Sequence, residues 1–125
     1  MSEIQYLHSA LLVSKLDQAE NFYGTVLGLQ QVERSLRFPG TWYQVGAVQI
    51  HLIQQDDYAA SMQNSAKWGR NPHLALGVSD LAAIELRLVA EGYAVQRSAS
   101  GRAALFICDP DGNVVELSEI ATGDR

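Results

Sequence analysis

The chain has 125 residues, 47% hydrophobic and 18% charged, the profile of a single soluble globular domain able to bury a real core. Its net charge of −5 argues against non-specific binding to nucleic acid or to anionic membranes. One cysteine, Cys108, excludes a disulfide within the chain and fits a reducing, cytoplasmic compartment, and neither a membrane span nor a signal peptide is expected from the apolar runs or from the start MSEIQYLHS.

In chain order, YLHSALLV (6–13) predicts a strand. Leu16, Ala19, Phe22, Tyr23, Val26 and Leu27 then recur at helical spacing, with Ser14 or Asp17 as the cap and Gly28 as the stop. QQVERSLRF (30–38) predicts a strand, and GTWYQVG with AVQIHLIQ predicts two more around a tight turn at Gly46. After the polar stretch 54–72, HLALGV (73–78) is another strand. Ser79 or Asp80 caps a helix carrying Leu81, Ile84, Leu88 and Val89, which ends at Gly92. YAVQRS, RAALFIC and NVVELSEI follow as strands, the last two joined by the turn sequence DPDG.

The chain repeats itself. HSALLVSKL (8–16) lies over HLALGVSDL (73–81) with His, Ala, Leu, Val, Ser and Leu coinciding, an offset of 73 − 8 = 65. The same offset carries His51, at the centre of VQIHLIQ, onto Glu116 in GNVVELSEI. The predicted fold is α+β: two tandem βαβββ modules, about 4–55 and 70–121, joined by a connector 56–69 within one domain 1–125, with curved, mainly antiparallel sheets.

Strand side chains alternate faces, so His8, His51, His73 and Glu116 each stand on one face of a sheet, and the repeat pairs His8 with His73 and His51 with Glu116. These are the chain's only three histidines, and one histidine alone in a strand is usually structural. Their relation through the repeat favours a common site. Imidazole nitrogens and a carboxylate held on rigid strands suit a divalent ion such as Zn, Fe, Mn, Co or Ni, with positions left open for substrate or water.

In these residues the chain resembles the vicinal oxygen chelate superfamily, which includes glyoxalase I, methylmalonyl-CoA epimerase, fosfomycin resistance enzymes, extradiol dioxygenases and bleomycin resistance proteins. LHSALLV with LDQAENFYGTVLGL resembles the family's opening strand and helix, HLALGVSDL the start of its second module, and DPDGNVVELSE its closing hairpin. The resemblance implies two modules forming a cleft around a metal held by His8, His73 and Glu116. His51 departs from the pattern, taking the position that is Glu in bacterial-type glyoxalase I and Gln in the epimerases. It stands as a fourth ligand, as a base, or as a bystander beside a three-residue site.

The expected function is that of a metal-dependent lyase or isomerase of the glyoxalase type. It would act on a small oxygenated substrate through a metal-stabilised enediolate, with Glu116 or His51 as the base. An Fe(II) extradiol-type dioxygenase using His8, His73 and Glu116 is one alternative, and a non-catalytic antibiotic-binding protein is another. Trp42, Tyr43 and Phe106 are candidates to shape the pocket, with core packing the commoner role for Phe106. Arg37, Arg70 and Arg102 are candidates for an anionic substrate group, against a plain reading as solvated surface charge. The resemblance also implies a homodimer.

Overall fold

The computed structural model describes residues 2–35 and 37–121. It divides into two compact units, Met1–Ala59 (unit 1) and Ala60–Arg125 (unit 2). Among the described residues no helix is long and apolar enough to cross a membrane.

Unit 1 contains β1 (His8–Val13), α1 (Leu16–Glu20), β2 (Gln30–Val32), β3 (Gly40–Val45) and β4 (Val48–Gln54). Its four-stranded sheet runs in the order β1-β4-β3-β2, with β1 parallel to β4 and the other pairs antiparallel. A crossover helix is what lets two strands of one module pair in parallel. Helix α1 passes directly into a π-helical stretch, Asn21–Val26, a widening that the apolar spacing did not signal. Ala19, Phe22, Tyr23 and Val26 are buried along this helical segment. On the sheet, Ile50, Leu52 and Tyr43 are buried, and Tyr23 and Tyr43 are in ring contact. Gly46 turns β3 into β4 at φ +58, where a Cβ would be strained.

Unit 2 repeats the plan with β5 (His73–Val78), α2 (Leu81–Ala90), β6 (Gln96–Arg97), β7 (Ala104–Cys108) and β8 (Val114–Glu119), in the sheet order β5-β8-β7-β6. The 65-residue offset holds in the register: Ala10 pairs with His51 as Ala75 pairs with Glu116. It fails across the closing hairpins, where Trp42 pairs with His51 but Phe106, not Ile107, pairs with Glu116. The DPDG turn is one residue longer than its counterpart. Buried Asp109 organises it, Oδ1 accepting from the backbone N–H groups of Asp111 and Asn113, both at 2.9 Å.

The helix starts differ from the sequence expectation in unit 1. Neither Ser14 nor Asp17 caps α1: Lys15 is the N-cap and gives no side-chain cap. The backbone N–H of Leu16 donates instead to Gln54 Oε1 (3.2 Å), at the end of β4. Asp80 does cap α2, accepting from Ala83 N–H at 3.0 Å. Leu81 N–H also donates to Glu119 Oε1 at 3.1 Å. Since 16 + 65 = 81 and 54 + 65 = 119, each module ties the first turn of its helix to the last residue of its central strand. The strands expected over 30–38 and 93–98 shrink to Gln30–Val32 and Gln96–Arg97. Both are edge strands, with a partner on one side only.

Candidate functional site

In unit 1, β4 is flanked by β1 and β3, so His51 has a ring neighbour on each side. Its imidazole stacks on His8 (centroids 4.0 Å apart, planes at 13°) and on Trp42 (4.1 Å, 7°). A glutamine relay sets its tautomer. Gln44 Nε2 donates to the carbonyl oxygens of Gly46 (2.9 Å) and Val48 (3.2 Å). Gln44 Oε1 therefore accepts from Gln49 Nε2 at 2.9 Å, which turns Gln49 Oε1 toward His51. An amide oxygen only accepts, so His51 Nε2–H donates to it (2.8 Å), and the lone pair of the neutral ring lies on Nδ1. Burial, then the neighbouring His8 and Arg34 charges, hold the His51 pKa below the usual 6.5 and keep the ring neutral.

Tyr43, expected beside the site, lies on the other face. It pairs with Ile50 and is buried, because successive strand residues point to opposite sides. Arg37 occupies an exposed bend, and Arg34, which the sequence reading passed over, is the cation at this face. Its guanidinium carbon lies 4.9 Å from the Phe38 ring centroid and 5.9 Å from that of Trp42, a cation–π arrangement. A cleft of about 590 Å³ opens here, lined among others by His8, Phe38, Trp42, Gln49 and His51.

In unit 2, His73 Nδ1 lies 2.7 Å from the backbone oxygen of Asn71. That oxygen only accepts, so Nδ1 carries the proton and Nε2 is the free ligand atom. Asn71 is itself buried and fixed, accepting from Gln63 and Asn64 N–H and donating to the Asn64 and Trp68 carbonyls. His73 Nε2 stands 3.2 Å from Glu116 Oε1. Glu116 Oε2 accepts from Ser118 Oγ–H (2.6 Å) and Arg102 Nη1–H (3.2 Å). Burial pushes the Glu116 pKa up, but the Ser118 and Arg102 hydrogen bonds and the Arg102 and His73 charges outweigh it and leave it lowered. Phe106, counterpart of Trp42, is buried and also meets His73 edge-on, at 5.6 Å and 88°. It therefore serves both the core and the site.

Each unit thus gathers two of the four candidate ligands: His8 with His51, and His73 with Glu116. In neither unit do the described residues gather three or more His, Cys, Asp or Glu around one point. The His73–Glu116 pair fits a divalent ion. Two donors about 2.1 Å from one ion stand about 3.0 Å apart at a right angle and about 3.4 Å apart at the tetrahedral angle. The observed 3.2 Å falls between. With His73 neutral, two lone pairs face each other at that distance, and a cation between them converts repulsion into attraction. A protonated His73 would satisfy the same geometry as an ion pair.

Arg70 and Arg102 both reach a second cleft in unit 2, beside Phe106. The residues that sequence reasoning missed are Gln44, Gln49, Arg34 and Ser118. Ser118 and Gln49 carry a usable signal, since each lies two residues from a candidate ligand on the same strand face.

Known proteins resemble this chain in sequence and fold. The chain is 26% identical to glyoxylase I 4 of Arabidopsis thaliana over 117 residues, covering 88% of this chain and 67% of that protein. It is 29% identical to a lactoylglutathione lyase of Vibrio parahaemolyticus, so named as probable, covering 94% of this chain and 91% of the other. An antibiotic binding protein from Streptomyces has the same fold, with a TM-score of 0.70 at 23% identity, covering 97% of this chain and 99% of that one. The sequence family described as the Glyoxalase/Bleomycin resistance protein/Dioxygenase superfamily matches residues 5–117, and the chain belongs to it.

Proposed function

We propose that the protein is a metal-dependent lyase or isomerase of the glyoxalase type, acting on a small oxygenated substrate. The observation that carries this reading is the His73–Glu116 pair: a tautomer-locked Nε2 facing a carboxylate oxygen at 3.2 Å. The names of the Arabidopsis and Vibrio relatives support the reaction class. His8 and His51 are the remaining candidate ligands. When bound, a divalent ion supplies a Lewis acid that polarises a substrate oxygen and acidifies the adjacent C–H.

Two side chains are fit to move that proton. Glu116 is kept ionised by Ser118 and Arg102, so a carboxylate oxygen is ready to accept it. His51 is kept neutral with its lone pair on Nδ1. Trp42 stacks flat on His51, and Phe106 meets His73 edge-on, so each pair of candidate ligands has an aromatic neighbour.

The test is metal content followed by turnover. Untagged protein is assayed by plasma mass spectrometry, then stripped, reconstituted with Zn, Ni, Co, Mn or Fe(II), and assayed for turnover of lactoylglutathione. Bound metal near one equivalent, lost in His73→Ala, with turnover that needs no oxygen, supports the proposal. No retained metal after reconstitution refutes it. The two-histidine, one-carboxylate composition of His8, His73 and Glu116 favours a second reading, an extradiol-type dioxygenase. That reading requires Fe(II) and oxygen uptake with a catechol. Ligand binding that survives metal stripping and His73→Ala would instead mark a sequestering protein. We further propose a homodimer, which sedimentation would show as twice the 13.7 kDa chain mass.

A further inference from the structure

The chain carries nine Lys and Arg against fourteen Asp and Glu, yet four of the nine line one cleft in unit 2. Lys67, Arg70, Arg97 and Arg102 surround a space of about 640 Å³, with Ser98 and Ser100 on its rim and no carboxylate in its lining. In a protein of net charge −5, such a concentration of positive charge costs self-repulsion, and an anion in the cleft would relieve it.

Two of the cations are partly committed. Arg97 pairs with Glu85 at 2.6 Å. Arg102 gives Nη1 to Glu116 and Nε to Ser100 Oγ (3.1 Å), which fixes the guanidinium plane and leaves Nη2 for another acceptor. Among the described residues, Lys67 and Arg70 have no ion pair. The walls are tied in place. Gln96 accepts from Trp68 N–H at 2.8 Å and donates to the Ala66 carbonyl at 3.1 Å, clamping the turn that carries Lys67 and Arg70 onto β6. Phe106 lines the cleft and also meets His73 edge-on.

We infer that this cleft is an oxyanion-binding subsite, in which Lys67, Arg70 and Arg102 hold the carboxylate or phosphate of a small acid. Arg102 is the link: its Nη1 holds Glu116 and its side chain lines the cleft. The bound oxyanion therefore lies one guanidinium away from the Glu116 carboxylate. This assigns the substrate class as a short acid whose charged end and reacting carbon are separated by about that span. That the anion is part of the substrate rests on the reaction proposed above; that the cleft binds an oxyanion does not.

The test uses the full chain, stripped of metal, at low ionic strength, with inorganic phosphate and acetate as separate probes followed by amide NMR. The expected result is saturable shifts concentrated at residues 66–70 and 96–102. Arg70→Ala and Lys67→Ala should each weaken binding about tenfold, the scale of one charge-assisted hydrogen bond. Arg87→Ala, on α2 outside the cleft, should leave it unchanged. Binding of phosphate alone points to a phosphoester substrate, and binding of both probes to a carboxylate. Shifts scattered over the surface, or affinity that survives both Arg70→Ala and Lys67→Ala, would overturn the inference. Each variant's amide dispersion reports its fold, so if either fails to fold the other still decides. Because no metal is present, a failure here is distinct from a failure of the proposed reaction.

Discussion

Gly69 packs closely against Phe106, beside the site. A Cβ there would lie 2.5, 2.9 and 3.1 Å from Cζ, Cε1 and Cε2 of Phe106. Carbon contacts settle at about 3.5–4.0 Å, so Gly69→Ala forces the ring back by about 1 Å. The ring has little room, being 7% exposed with its edge against His73. Overpacking of this kind costs about 1–3 kcal/mol. The backbone at Gly69 is not left-handed, so alanine also gains about 0.4–1 kcal/mol by restricting the unfolded chain. The net expectation is a loss of about 1–2 kcal/mol, measured by urea unfolding. Phe106→Leu removes the clashing atoms, so Gly69→Ala in that background should be neutral or slightly stabilising, a coupling of about 1–3 kcal/mol in the double-mutant cycle. An equal cost in both backgrounds would refute the steric argument. A displaced ring should also shift the His73 imidazole resonances, as a remote loss of stability would not.

Other consequences can be read directly. Burial, His8 and Arg34 lower the His51 pKa below 6.5, so the folded state resists protonation more than the unfolded one. The His51 contribution to stability is full above pH 6.5 and is lost as pH falls through the lowered folded value. Arg34→Gln should move the His51 NMR titration partway back up, and an unchanged or lower midpoint would contradict the assignment. Gln49→Leu removes the acceptor for His51 Nε2–H, so long-range nitrogen spectra should change from one tautomer to a mixture. Gln54→Ala and Glu119→Ala should each cost about 1 kcal/mol through the lost cap of α1 or α2. A neutral result at either position in urea unfolding would show that water replaces the bond.

The fold was legible because two local signals agreed. Apolar spacing marked α1, α2 and the central strands, and the 65-residue offset related His51 to Glu116, which pair with Ala10 and Ala75 in the same register. What escaped detection depends on contacts distant in sequence. Gln54 and Glu119 look like ordinary strand ends until the helix is laid beside them, 38 residues away in each case. The π-helical stretch at Asn21–Val26 differs from an α-helix in hydrogen bonding rather than in composition. At the site, alternation alone could have sent Tyr43 to the far face once Trp42 was placed opposite His51. Arg34 could not have been chosen over Arg37, because the bend between β2 and β3 decides which cation meets Trp42.

Why one module carries histidine where the other carries glutamate follows from their neighbours. The repeat places Ile53 where Ser118 stands. Phe38 lies two residues before β3, as Arg102 lies two before β7. Glu116 therefore has two donors, at 2.6 and 3.2 Å, whereas position 51 is faced by isoleucine, phenylalanine and two flat rings, and its polar partner Gln49 presents an acceptor oxygen held that way by Gln44. Arg34 lies over the Phe38 and Trp42 rings and makes no hydrogen bond to position 51, although its buried Nε and Nη2 have no acceptor. A half-buried carboxylate without a hydrogen bond costs about 1–3 kcal/mol, so His51→Glu should destabilise the protein by that amount at pH 7 and less in acid, where the carboxyl is neutral. Adding Ile53→Ser restores the donor that Ser118 provides in unit 2 and should recover about 1 kcal/mol. If His51→Glu unfolds at the same urea concentration as the parent at pH 7, the two faces are equivalent hosts for a carboxylate. The residue at position 51 would then have to be explained by the chemistry of the reaction rather than by its surroundings.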